Sequence, residues 1–229
     1  MIHVKTDISE TVSNFMSNAN KDNRYRSFDY CYNYFRNTQD LTQDIEKSCL
    51  TLGFYLASWG MYRGSSFMLQ KSLSHYKETI VYLNELKISQ PWVWEIDIDK
   101  YNDDNIDKLI KIYKKICDIL IKSDDENKKH RSITLVTKLM LGVFGSVPAF
   151  DNYFIKTFTK LDESKCKFKV FNKNALLQIK EFYNGNLEEI DNLSNSIKTL
   201  DFQTGNETSI SYTKAKIVDM YGFSLSKKL

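Results

Sequence analysis

The sequence predicts an all-α protein, a single compact multi-helix domain over residues 1–229, and three observations predict it. The chain holds only 8 Gly and 2 Pro in 229 residues, too few for the many tight turns of a β-sandwich or barrel. Its 14 Tyr, its 14 Phe and a hydrophobic share of 42% provide a core that a disordered chain lacks. Apolar residues also recur at helical spacing in one segment after another, most of them opened by a capping residue. Helix is therefore expected to exceed by far the usual third of residues. No repeat of roughly 20–50 residues is present, and no Pro/Gly/Ser-rich linker divides the chain, which points to one domain.

Asp7-Ile-Ser-Glu10 forms a capping box ahead of a stripe of Ile8, Val12 and Phe15. Ser27 opens a second helix with Phe28, Cys31, Tyr32 and Phe35 on one face. A longer helix is expected from about Asp40, with Leu41, Ile45, Cys49, Leu52, Leu56 and Trp59 facing inward, broken by Gly60-Met-Tyr-Arg-Gly64. Ser65 or Ser66 caps the next helix, which ends near Leu86 and buries its uncharged first half. After Pro91, Trp92, Trp94, Ile96 and Ile98 alternate with Val93, Glu95, Asp97 and Asp99, a period of two. Cys166–Val170 alternates likewise, so a minor two-stranded ribbon is expected, about 92–98 with 166–170.

Asn102–Ser123 carries Ile106, Ile110, Tyr113, Cys117 and Leu120 as a helical stripe. A polar loop, 124–131, leads to a helix from Ser132 to about Phe144, stopped by Gly145 with Pro148 beyond it. Asp151 can cap the following helix. Helices over about Asn174–Tyr183 and Asn186–Leu200 are parted by Gly185, and a loop at 203–208 precedes a last short helix, Tyr212–Tyr221.

Charge and composition exclude several functions. With 32 Lys+Arg against 29 Asp+Glu the formal charge is +3, which is not that of a simple polycationic nucleic-acid binder. The longest uncharged apolar stretches, Leu50–Tyr62 and Leu139–Phe150, fall short of the roughly 20 residues that cross a bilayer, so no membrane partner is expected. Met1-Ile-His-Val-Lys-Thr-Asp7 has no apolar run typical of a signal peptide, and a cytoplasmic location is expected. Cys31, Cys49, Cys117 and Cys166 are far apart among apolar neighbours, as buried free thiols are. His3, His75 and His130 have neither metal-ligand nor catalytic-triad spacing, and no P-loop or dinucleotide fingerprint occurs. No metal and no cofactor is expected. Gly64-Ser65 and Asp97-x-Asp99 lie too far apart for a nucleotidyltransferase pair.

The most informative segment is 128–154, where a helix ends at Phe144-Gly145, a turn through Pro148 follows and Asp151 opens the next helix. In these residues the chain resembles the core of the helix-hairpin-helix DNA glycosylases. The resemblance implies an all-α fold, DNA as partner and a catalytic role for Asp151 in hydrolysing a base–sugar bond. The chain departs from the family in having no glycine-rich hairpin, and Ser132, Ile133 and Thr134 stand where the family's bifunctional members carry a Schiff-base lysine. A monofunctional hydrolase is therefore the expected enzyme class. The chemistry fits, because breaking an N-glycosidic bond generates oxocarbenium character that a nearby carboxylate stabilises. Asp is equally a preferred helix N-cap, so the residue type alone leaves both roles open.

Lys128, Lys129, His130, Arg131 and Ser132 stand at a helix N-terminus, a suitable place for DNA phosphates, although Asp124, Asp125 and Glu126 precede them as in a solvated mixed-charge loop. Trp59, Tyr62 and Arg63 are pocket candidates, Arg63 to bind an anion or stack on a base, or else to pair with a carboxylate in a tight corner. Trp92 and Trp94 offer either stacking faces or core anchors. The alternative function is a non-enzymatic helical interaction module, such as one encoded beside a protein partner in a bacterial defence or toxin–antitoxin operon. The two readings part on whether Asp151 lines an open cleft with Arg63 and aromatic rings.

Overall fold

Caps and apolar spacing place the helices in the computed structural model, which describes residues 7–17, 19–64, 66–121, 132–161 and 166–227, Ser132 by its backbone alone. They are α1 (Ile8–Ser17), α2 (Ser27–Asn37), α3 (Ile45–Ser58), α4 (Lys77–Ser89), α5 (Asp103–Leu120), α6 (Ser132–Phe144), α7 (Asn152–Leu161), α8 (Lys173–Gly185), α9 (Leu187–Ser196) and α10 (Lys214–Leu225). Strands β1 (Lys198–Leu200) and β2 (Glu207–Ser211) pair antiparallel between α9 and α10. Helix makes up 70% of the structure, about twice the usual share, and the fold is all-α with a minor ribbon.

Two helices are buried along most of their surface, α6 because it is apolar nearly all round and α10 with its Lys216 and Asp219 paired to each other. Helix α6 buries Leu135, Val136, Leu139, Met140, Leu141, Val143 and Phe144, and packs against α2, α3 and α5. Helix α10 buries Ala215 through Phe223 and packs against α1, α7 and α9. Beside it, Phe150, Phe154 and Phe158 stack in a column at 5.4 and 4.3 Å, with Phe168 edge-on to all three. The i, i+4 spacing of Phe154 and Phe158 on α7 makes that column a local consequence of the sequence.

The ribbon lies elsewhere than at 92–98 and 166–170. Pro91 starts a 3₁₀ turn, Pro91–Glu95, and Ile98–Lys100 forms another, while Cys166–Val170 contains no strand. Val93 and Trp94 are both buried, between α4 and α6, so the alternation marks no solvent-facing side. The real ribbon is pinned from far away in sequence. The buried Asp29 carboxylate accepts from Leu200 N–H and Tyr212 Oη–H and pairs with Arg26 at 3.1 Å. Burial pushes the Asp29 carboxyl up, against the pull of Tyr212 and Arg26.

Other boundaries shift as well. Helix α3 starts at Ile45, capped by Asp44, and not near Asp40. Ser66 caps a 3₁₀ turn, Phe67–Gln70, a second runs over Leu73–Tyr76, and α4 starts only at Lys77. Leu69 is exposed, so the uncharged stretch is not buried throughout. Asp97 accepts from the backbone N–H groups of Ile98, Lys214 and Ala215, and so anchors the start of α10. Burial pushes its carboxyl up to about 6.

None of the four cysteines is in a disulfide, and Cys31, Cys49 and Cys166 are buried and Cys117 half-buried. Desolvation pushes the Cys31 thiol well up, which suppresses its thiolate. Native labelling with a thiol reagent is expected to modify Cys117 first and the other three slowly, until denaturant is added. Rapid modification of all four in the native protein, or a mass showing oxidised pairs, would contradict this.

Candidate functional site

The site is built on the turn between α6 and α7. Gly145 leaves α6 with φ +66° and its N–H donates to Leu141 O at 2.9 Å, a left-handed cap. The six residues from Gly145 to Phe150 are wholly buried, and a buried loop must have its backbone polar groups paired. Tyr101 Oη–H donates to Ser146 O, Thr134 Oγ1–H donates to Phe150 O, and Phe150 N–H donates to Thr137 Oγ1. Ala149 N–H donates to Asp219 Oδ1, whose other oxygen pairs with the buried Lys216 at 3.0 Å. The loop therefore delivers Asp151 to one place.

Asp151 caps α7, its Oδ1 accepting from Tyr153 and Phe154 N–H at 3.0 Å each. Its Oδ2 lies 3.2 Å from Lys138 Nζ, the two side chains being 13% and 6% exposed. Lys138 Nζ also donates to Trp59 O at 2.9 Å. The carboxylate thus has both oxygens fixed while it still lines an open cavity.

Trp59 ends α3 through a Schellman cap, in which Gly60 N–H donates to Ala57 O and Met61 N–H to Leu56 O. Gly60 has φ +81°, and a Cβ there would stand 2.7 Å from Arg63 Nε. Glycine is needed for the left-handed turn, and it also leaves room for the exposed arginine folded over it. Ser66 Oγ–H closes the loop on Met61 O at 2.6 Å. The Trp59 indole stacks on Tyr25 at 5.3 Å and is approached by the ammonium groups of Lys216 at 4.7 Å and Lys138 at 5.7 Å.

Between these parts opens a cavity of about 360 Å³. Trp59, Gly60, Met61 and Arg63 form one wall, and Lys138, Asp151, Asn152 and Tyr153 another. Thr134, Arg24, Phe223 and Lys227 complete it. Asp151 is the one carboxylate among these lining residues, against four cations.

The structure brings together Asp151, Arg63 and Trp59 of the residues that the sequence singles out. Arg63 pairs with no carboxylate among the described residues. Tyr62 does not line the cavity, because its Oη–H donates to Tyr76 Oη at 2.8 Å on the packing side of the turn. Trp94 is buried edge-on against Phe144 and Trp92 lies under Lys108, so neither reaches the cavity. Lys128, Lys129, His130 and Arg131 lie outside the described residues, as does the side chain of Ser132.

Three charged residues of the site, Lys138, Arg24 and Lys227, are not among those the sequence singles out. Lys138 does carry a signal, as the one charged side chain between Ser132 and Phe150, since an ammonium in so apolar a run needs a partner. Arg24 and Lys227 carry none. Comparison of the chain with protein-family models, with curated proteins and with solved structures finds no match.

Among the described residues no cluster of His, Cys, Asp and Glu could hold a metal ion, and no helix is long and apolar enough to cross a membrane.

Proposed function

We propose that the protein binds DNA, admits one extruded nucleotide into the Asp151 cavity and hydrolyses its base–sugar bond. The observation that carries this reading is the double role of Asp151, which caps α7 and lines an open cavity at once. In the reaction a water oxygen bonds to C1′ as the C1′–N bond breaks. The bonding pair leaves with the base nitrogen, and the proton lost by water ends on the departing base. Asp151 faces the positive charge that develops on the sugar, and a carboxylate fixed in advance stabilises it without reorganisation. Lys138 is a positioning residue that holds Asp151 Oδ2. The exposed ring of Tyr153 supplies an aromatic face for the base, and Trp59, stacked on Tyr25, forms part of the wall behind it. The basic run Lys128–Arg131 belongs to the same reading as a backbone contact, and a cytoplasmic location goes with it.

The test is base release from duplex oligonucleotides carrying a panel of damaged or modified bases, scored by cleavage at the resulting abasic site. Release from at least one of them is expected. Borohydride added with abasic DNA is expected to trap no covalent complex, because Lys138 is engaged by Asp151 and the Trp59 carbonyl and Ile133 and Thr134 carry no amine. A trapped complex would make the protein a lyase. No release from any substrate would favour the second reading, an interaction module. Leu50 and Phe54 speak for that alternative, one turn apart on α3 and exposed at 47% and 64%.

A further inference from the structure

We infer that the rim of this cavity grips a phosphate group and that the cavity holds the nucleotide unit attached to it, with Arg24, Arg63 and Lys227 as the phosphate ligands. The three cations come from separate parts of the chain, before α2, after α3 and after α10, and meet around one opening. All three are exposed, and none has a carboxylate partner among the described residues. The single carboxylate in the cavity, Asp151, is already matched by Lys138. Three converging like charges therefore remain uncompensated, and an anion relieves their repulsion. A phosphate is the anion that suits two guanidinium forks and an ammonium. Beside them the cavity carries the exposed ring of Tyr153, edge-on to Phe223 at 4.9 Å, which fits a base beside the phosphate. This assignment rests on the cavity being where a nucleotide lies, but not on catalysis.

The chemistry is shared by a free nucleotide and by a nucleotide within a DNA strand, and the experiment separates them. The full chain is titrated with deoxynucleoside 5′-monophosphates, the matching deoxynucleosides, inorganic phosphate and a short single-stranded oligonucleotide. The monophosphates are expected to bind at least about tenfold tighter than the nucleosides or inorganic phosphate. The triple variant Arg24→Gln/Arg63→Gln/Lys227→Gln is expected to lose that margin, and to lower the salt slope of oligonucleotide binding by about 2. Lys111→Gln, on a helix that does not line the cavity, should bind as the parent does, and circular dichroism checks that each variant is folded. Binding of the oligonucleotide alone, lost in the triple variant, supports the phosphate grip and assigns it to a strand. Nucleosides binding as well as monophosphates, phosphate alone accounting for the affinity, a triple variant like the parent, or no binding of any ligand would each overturn it. Nucleotide binding without base release leaves this inference standing and sinks the catalytic one. Base release with binding indifferent to the triple substitution does the reverse.

Discussion

Asp151→Asn is expected to cut base release at least about 100-fold, because an amide carries no charge to set against an oxocarbenium-like centre. It is also expected to lower stability by about 3 kcal/mol, even though Asn caps a helix as well as Asp does. The cost comes from Lys138, whose side chain is 6% exposed and whose ammonium would keep only the carbonyl and ring of Trp59. Removing one member of a buried pair strands the other charge, at roughly 3–5 kcal/mol. The double variant Lys138→Met/Asp151→Asn removes both charges and should recover most of the stability and none of the activity. Thermal melts and base release measured on the parent, the two single variants and the double variant close the cycle. Activity that survives Asp151→Asn would remove this residue as the catalyst, and the enzymatic reading with it. A melting temperature unchanged in Asp151→Asn would show that the pair with Lys138 contributes nothing to the fold.

Gly145→Ala is expected to cost about 2–5 kcal/mol, from two sources that add. A side chain in the left-handed region costs roughly 1–2 kcal/mol, and Gly145 sits at φ +66°. The new Cβ would also stand 2.7 Å from Thr213 Cγ2 and 2.9 Å from the buried Tyr32 ring, and overpacking adds roughly 1–3 kcal/mol. Because Gly145 begins the buried loop that carries Asp151, base release should fall along with stability. Gly64→Ala is the control, since Gly64 has φ +59° but nothing within 4 Å of an added Cβ. It should lose only the backbone strain. Urea midpoints of the two variants give the comparison, and equal losses would show that close packing at Gly145 plays no part.

Where structure depends on near neighbours, the sequence by itself determined it. The Asp7 cap, the Phe28–Phe35 face of α2, the span of α6 and its stop at Gly145, and Asp151 at the head of α7 all arise within a few residues. Capping and apolar spacing act over that range, and so they are legible. Period-two alternation at 92–98 misleads, because alternation marks a strand only where one face is buried and the other meets solvent, and here the neighbours Val93 and Trp94 are both buried while Trp92 is exposed. The true ribbon has no comparable local sign, since Asp29 and Asn33 on α2 hold Leu200 from far along the chain. The site divides in the same way. The chemistry of Asp151 and the isolation of Arg63 between two glycines are visible in the sequence. Tertiary structure alone chose Lys138 as the partner of Asp151 and brought Arg24 and Lys227 to the same opening. Charge acts through space, and residues 24, 63, 138, 151 and 227 become neighbours only once α3, α6, α7 and α10 have packed.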